Sequence, residues 1–238
     1  MKNFKKLGVL LIVLVLGANL PANAFNSEKT EVRDVQDFNA IKVSAGIDLY
    51  LKMGDVEEVK VVAEDDIIDK VITEVKDGTL KIYMKQNNGW NNWRNVKTRK
   101  VYVRVNELVK LHASSGSSVQ SDNTLSGEML EVKASSGSDV NLDIHYKNFS
   151  VDTSSGSDAR ISGKTKNLEA EASSGSDIKA QELESVICKV RVSSGSDAIV
   201  SVSEELYAKA SSGGDVRYYG NPQIKDIDES SGGDVTQK

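Results

Sequence analysis

Ala172-Ser173-Ser174-Gly175-Ser176-Asp177-Ile178 is one copy of a phrase that recurs through the second half of the chain. Its relatives begin at Ser114, Ser135, Ser154, Ser193, Ser211 and Ser230, at intervals of 18 to 21 residues. A weaker copy, Ser44-Ala45-Gly46-Ile47-Asp48, stands far upstream. A near-constant period of this length marks a repeat architecture, in which each unit buries its apolar side only against its neighbours.

Aligning the copies on their first Ser exposes the pattern of one unit. Five residues before it stand Val109, Leu130, Phe149, Leu168, Cys188 and Leu206. Three before it stand Leu111, Val132, Val151, Ala170, Val190 and Ala208, and one before it Ala113, Ala134, Thr153, Ala172, Val192 and Ala210. The residues between these columns are mostly polar, so each unit opens with a half-buried strand of period two. Past the Asp, Val140, Ala159, Ile178, Ala198 and Val216, with Leu142, Ile161, Ala180, Val200 and Tyr218, start a second strand. Gly at the corner suits a positive φ. The predicted fold is all-β: a single-stranded right-handed β-helix (β-solenoid), about one coil per 19-residue repeat. The N-terminal strands cap one end, and Lys225 and Glu229, at inward positions of the last unit, cap the other.

Such winding places Asp139, Asp158, Asp177, Asp197, Asp215 and Asp234 in one column, with Ser118 in place of the first Asp. Neighbouring carboxylates about 4.8 Å apart repel by roughly 0.9 kcal/mol per pair in water. The column therefore faces solvent, caps its own corners through Asx-type hydrogen bonds, or holds a cation such as Ca²⁺ between coils.

The first 24 residues read as a secretory signal peptide: Lys2, Lys5 and Lys6, then the apolar run Leu7 to Leu16, then Ala22-Asn23-Ala24. The expected organisation is 1–24 signal peptide, 25–34 N-terminal segment and 35–238 solenoid domain. Residues 35–110 form its irregular part and 111–238 its regular coils. No later stretch is apolar enough to span a bilayer as a helix, so the protein is expected in a periplasm, on the cell surface or outside the cell. The net charge is −5, a poor match for nucleic acid. The lone Cys188 occupies an apolar column and reads as a buried small hydrophobe.

Asp65-Asp66 followed by Ile67, Ile68, Val71, Ile72 and Val75 is spaced as one face of a capped short helix, with a strand as the alternative. Asp77-Gly78 signals a tight turn. Val101, Val103 and Val105 alternate as a strand entering the first regular coil. An Asn-rich loop from Gln86 to Asn95 holds both tryptophans. Trp90 and Trp93, with Asn91 and Asn92, could stack on and hydrogen-bond a sugar or a protein; the alternative is that the rings fold back over the end of the stack.

The Gly46-Ile47-Asp48 copy, the Asp77-Gly78-Thr79-Leu80 turn, the stretch from Val101 to Leu111 and the serial corners together resemble the putative auto-transporter adhesin, head GIN domain family, over about residues 35–235. The resemblance implies a β-helical exported protein and an adhesin-type role, with no catalytic residues to carry over.

The residues themselves offer little enzymology. His112 and His145 belong to different coils and both look solvated. No zinc set, nucleophile elbow or phosphate loop is visible. Two readings remain beside binding to a glycan or an envelope or host protein. One is a polysaccharide-active enzyme on a β-helix, which needs two differentiated carboxylates rather than a column of equivalent ones. The other is a structural envelope module stabilised by Ca²⁺.

Overall fold

A computed structural model describes residues 28–85 and 98–238. The chain order is β1 (Glu28–Arg33), β2 (Ala40–Val43), β3 (Asp48–Met53), β4 (Glu58–Glu64), a 3-10 turn (Ile68–Lys70), β5 (Val71–Lys76), β6 (Thr79–Met84), β7 (Arg99–Val105), β8 (Lys110–Ala113) and β9 (Ser118–Ser121). The long strands β10 (Leu125–Ser135), β11 (Asp139–Ser154), β12 (Asp158–Ala172), β13 (Asp177–Val192) and β14 (Asp197–Ser211) follow. The chain then forms β15 (Asp215–Tyr219), β16 (Ile224–Ser230) and β17 (Asp234–Gln237).

These strands wind into the predicted β-solenoid. Each coil has a strand entering a Ser-Ser-Gly corner and a strand leaving it, and the long strands bend once to serve two successive coils. Successive coils pair in parallel: Val140 with Ala159, Ala159 with Ile178, Ile178 with Ala198 and Ala198 with Val216. The inward columns are buried, including Leu130, Phe149, Leu168, Cys188 and Leu206. At the first regular coil the buried residue is Leu108, and Val109 is only half-buried. Burial pushes the Cys188 thiol up to about 12. Cys188 should therefore resist thiol reagents in native buffer and react fully in concentrated guanidinium; brisk native labelling would contradict this packing.

Coils differ in length, yet the corners stay in register. The difference is absorbed on the far side of the coil: the ladder between β12 and β13 shifts between Arg160 and Ser162, and that between β13 and β14 shifts between Ala180 and Ile187. Corner geometry is thus the fixed point, and the opposite bend takes up the slack.

The N-terminal part departs from sequential winding. The coil of β2 and β3 lies between the β6–β7 coil and the β8–β9 coil, because β2 pairs with both β6 and β8 and β3 with both β7 and β9. Antiparallel strands close this end: β5 on β6, β4 on β7, and β1 on β4. The helix expected from Asp65 is absent. Its residues form a turn, the 3-10 turn and β5, which returns on β6 through the Asp77-Gly78 turn. β-branched Val71, Ile72, Thr73 and Val75 pair better in a hairpin than they coil.

At the other end, β16 and β17 follow the stack with their inward positions taken by Lys225, Ile227, Glu229, Val235 and Gln237. Glu229 Oε1 accepts the backbone N–H of Val235 at 2.7 Å. The Tyr218 hydroxyl donates to Gln237 Oε1 at 3.3 Å. Lys225, Glu229 and Gln237 thus put polar groups over this end of the core, with Lys225 and Glu229 at the inward positions the sequence predicts, alongside apolar Ile227 and Val235.

Candidate functional site

The corners are built from inside. In each, the second Ser and the Gly both adopt left-handed backbone, as in Ser155 (φ 55°) and Gly156 (φ 67°). The Gly N–H then donates to the second Ser carbonyl of the next coil: Gly137 to Ser155, Gly156 to Ser174, Gly175 to Ser194 and Gly195 to Ser212. Sequence reasoning assigned positive φ to Gly alone; nothing about a serine marks it for that conformation.

The Ser before the Asp points inward and is buried: Ser117, Ser138, Ser157, Ser176 and Ser196. Ser157 Oγ accepts the Ser154 N–H at 3.1 Å and lies 2.8 Å from the Ala134 carbonyl of the preceding coil. Ser138 and Ser176 repeat the pattern. In the last two corners Gly214 and Gly233 take this place. The corner cap is therefore this serine hydroxyl, not the Asx-type bond expected of the Asp.

Released from capping, the aspartates line the outside in strict register: Asp139, Asp158, Asp177, Asp197, Asp215 and Asp234 are successive Cα partners. Asp48 pairs with Ser118 at the N-terminal side. The column two residues past the aspartates reads Asn141, Arg160, Lys179, Ile199, Arg217, Thr236, so basic side chains stand beside part of their line. Lys179 Nζ stands 3.4 Å from Asp177, and Arg217 reaches Asp197 at 3.6 Å and Asp215 at 3.5 Å. Thr236 donates to Asp234. A shallow hollow of about 390 Å³ opens here, bordered by Asp139, Asp158, Arg160 and Lys179. Among the described residues, no group of three or more His, Cys, Asp or Glu side chains could hold a metal ion. The carboxylates face basic side chains and solvent.

Trp90, Asn91, Asn92 and Trp93 lie outside the described residues, as does the segment read as a signal peptide. Among the described residues, Arg99 Nη1, at the start of β7, donates to the Ala45 carbonyl of the β2–β3 corner at 3.2 Å. On the wall leaving the corners, Tyr50 and Tyr102 stack at 4.9 Å, with Lys60 Nζ 4.7 Å from the Tyr102 ring.

The histidines separate. His145 is exposed, but His112 is half-buried, against the expectation that both are solvated. Burial, with Lys42 and Lys133 on either side, holds its imidazole below the usual range.

The far bend carries a feature that the sequence reading passed over: an open groove of about 1050 Å³ running across the coils. His145-Tyr146-Lys147 and Lys164-Thr165-Lys166 line it at the same offset from consecutive corners, a repeat-position signal that could have been read.

The fold and its corners define a class: a β-solenoid built of short coils, closed by antiparallel strands at one end and stacked on a serine-capped corner. The family described as putative auto-transporter adhesin, head GIN domain, matches residues 37–222, and the chain belongs to it. Solved structures share the fold. A putative adhesin from Bacteroides fragilis superposes with TM-score 0.81 at 17% identity, covering 89% of this chain and 97% of that one. A putative adhesin from Parabacteroides distasonis gives 0.72 at 20% identity, over 90% and 98%. A putative lipid binding protein from the same species gives 0.68 at 19% identity, over 90% and 98%. No curated protein matches the chain.

Proposed function

We propose that this chain is an exported, non-catalytic binding protein of adhesion type. Its contact surfaces are the Ser/Asp corner face and the Trp90–Trp93 stretch. The observation that carries this reading is the register of the aspartates. Equivalent groups repeated about every 4.8 Å suit a repetitive or extended partner, such as a glycan or an envelope or host protein. Family membership supports the adhesin-type role. The signal-peptide reading of residues 1–24 supports export.

A catalytic reading is less well supported. Hydrolysis of a glycoside needs an acid and a base or nucleophile in contrasting environments, whereas these carboxylates share one outward register.

The test is capture of whole cells and arrayed glycans by the secreted protein. Trp90→Ala/Trp93→Ala and Asp158→Asn/Asp177→Asn variants should each lose most of the capture. Capture unchanged in both would remove these surfaces, and glycan cleavage abolished by a single Asp→Asn change would replace binding with catalysis.

A further inference from the structure

The groove on the far bend supports a ligand site distinct from the corner face. Its floor is the column Gly127, Tyr146, Thr165, Ser185, Val202, each the register partner of the next. With Gly220 at the next coil, five steps of strand spacing make it about 24 Å long. The floor is low because Gly127 carries no side chain, Tyr146 turns inward to donate its hydroxyl to the Leu108 carbonyl at 2.9 Å, and Ser185 donates to the Ser201 carbonyl.

Four basic side chains surround the middle of this groove. His145 pairs in register with Lys164 on one wall, and Lys147 lies level with Lys166 on the other, since Tyr146 and Asn148 pair with Thr165 and Asn167. In a chain of net charge −5 this concentration is local, not a background property. Two acids flank the basic cluster, one on each adjoining coil: Glu128 Oε2 is 3.2 Å from Lys147 Nζ, and Glu184 Oε2 is 3.0 Å from Lys164 Nζ. Both pairs are well exposed, with the glutamates 82% and 73% accessible. Exposed pairs of this kind contribute only about 0–1 kcal/mol, so an incoming anion can displace the carboxylates at small cost. Lys166 has no ion pair among the described residues. Hydroxyl and amide groups from Ser126, Ser201, Ser203 and Asn221 continue the lining at either end.

We infer that this groove binds an anionic polysaccharide laid along the solenoid axis. Its acidic groups sit between Lys164 and the Lys147–Lys166 wall, and its hydroxyls meet the serines beyond. Length and openness suit a linear polymer better than a compact metabolite, and the central charge selects an acidic one. The inference rests on the binding-protein reading but uses a different surface.

The test measures binding of the full secreted protein to polygalacturonate, to heparin as a sulfated arm, and to fully methyl-esterified polygalacturonate as a neutral control. Binding of at least one acidic polymer is expected, about ten-fold or more tighter than the neutral one and weakened by salt. Lys164→Glu/Lys166→Glu should lose about ten-fold or more, while Lys52→Glu on β3, with unchanged circular dichroism, should bind as wild type. Equal affinity for the neutral polymer, no binding to either acidic polymer, or an unaffected double variant would overturn the inference. Loss of capture in the corner and Trp variants alone, with the groove variant intact, would leave the binding function standing and remove only the groove.

Discussion

Gly163→Ala is expected to destabilise the fold by about 2–5 kcal/mol, and Gly137→Ala by only about 1–2 kcal/mol. Both glycines have positive φ, +108° and +68°. They differ in surroundings. A Cβ on Gly163 would stand 2.0 Å from the Ile144 carbonyl oxygen of the neighbouring coil, a backbone atom held by the ladder. A Cβ on Gly137 meets nothing within 4 Å, so only the left-handed backbone is penalised. Urea midpoints of the two variants measure the difference. Equal midpoints would mean that the coils do not pack as closely at the bend as described.

Removing one buried corner hydroxyl should cost nearly as much. Ser176 Oγ accepts the Ser173 N–H at 3.1 Å, lies 2.9 Å from both the Ser173 and Thr153 carbonyls, and is 3.0 Å from Thr153 Oγ1. Ser176→Ala removes a fully buried hydroxyl, so the Ser173 and Thr153 carbonyls lose their shared donor and the Ser173 N–H keeps only the Thr153 carbonyl, an expected loss of about 1–3 kcal/mol. Ser174→Ala, two residues earlier on an exposed side chain, should stay within about 0.5 kcal/mol. The opposite ranking would show that the outward serine, not the inward one, holds the corner.

Much of this architecture was legible because the repeat aligns itself. Columns such as Leu130–Phe149–Leu168–Cys188–Leu206 alternate with charged residues, and period two has one structural meaning when it recurs every 19 residues or so. The Asp column was legible for the same reason. What the aspartates do was not. Asp and Ser are both good local capping residues, and which one turns inward depends on a left-handed Ser-Gly pair visible only in coordinates. The β2–β3 coil sits between two coils that follow it in sequence, and non-local pairing of that kind leaves no periodic trace. Ile67 to Val75 satisfied helical spacing and β propensity together, and pairing with β6 decided between them. The groove's basic residues lie between the apolar columns of successive units, where the alignment of inward positions gives no reading, although Lys147 and Lys166 share one repeat position.

The central claim is that the corners stack in register, one coil above the next. Spin labels at Asp139 paired with Asp197, Asp215 or Asp234, in a Cys188→Ser background, test it by pulsed dipolar spectroscopy. The account predicts separations of about 14, 19 and 24 Å, rising by one strand spacing per coil. Distances that fail to rise with coil number, or scatter as for corners on unrelated hairpins, would contradict it.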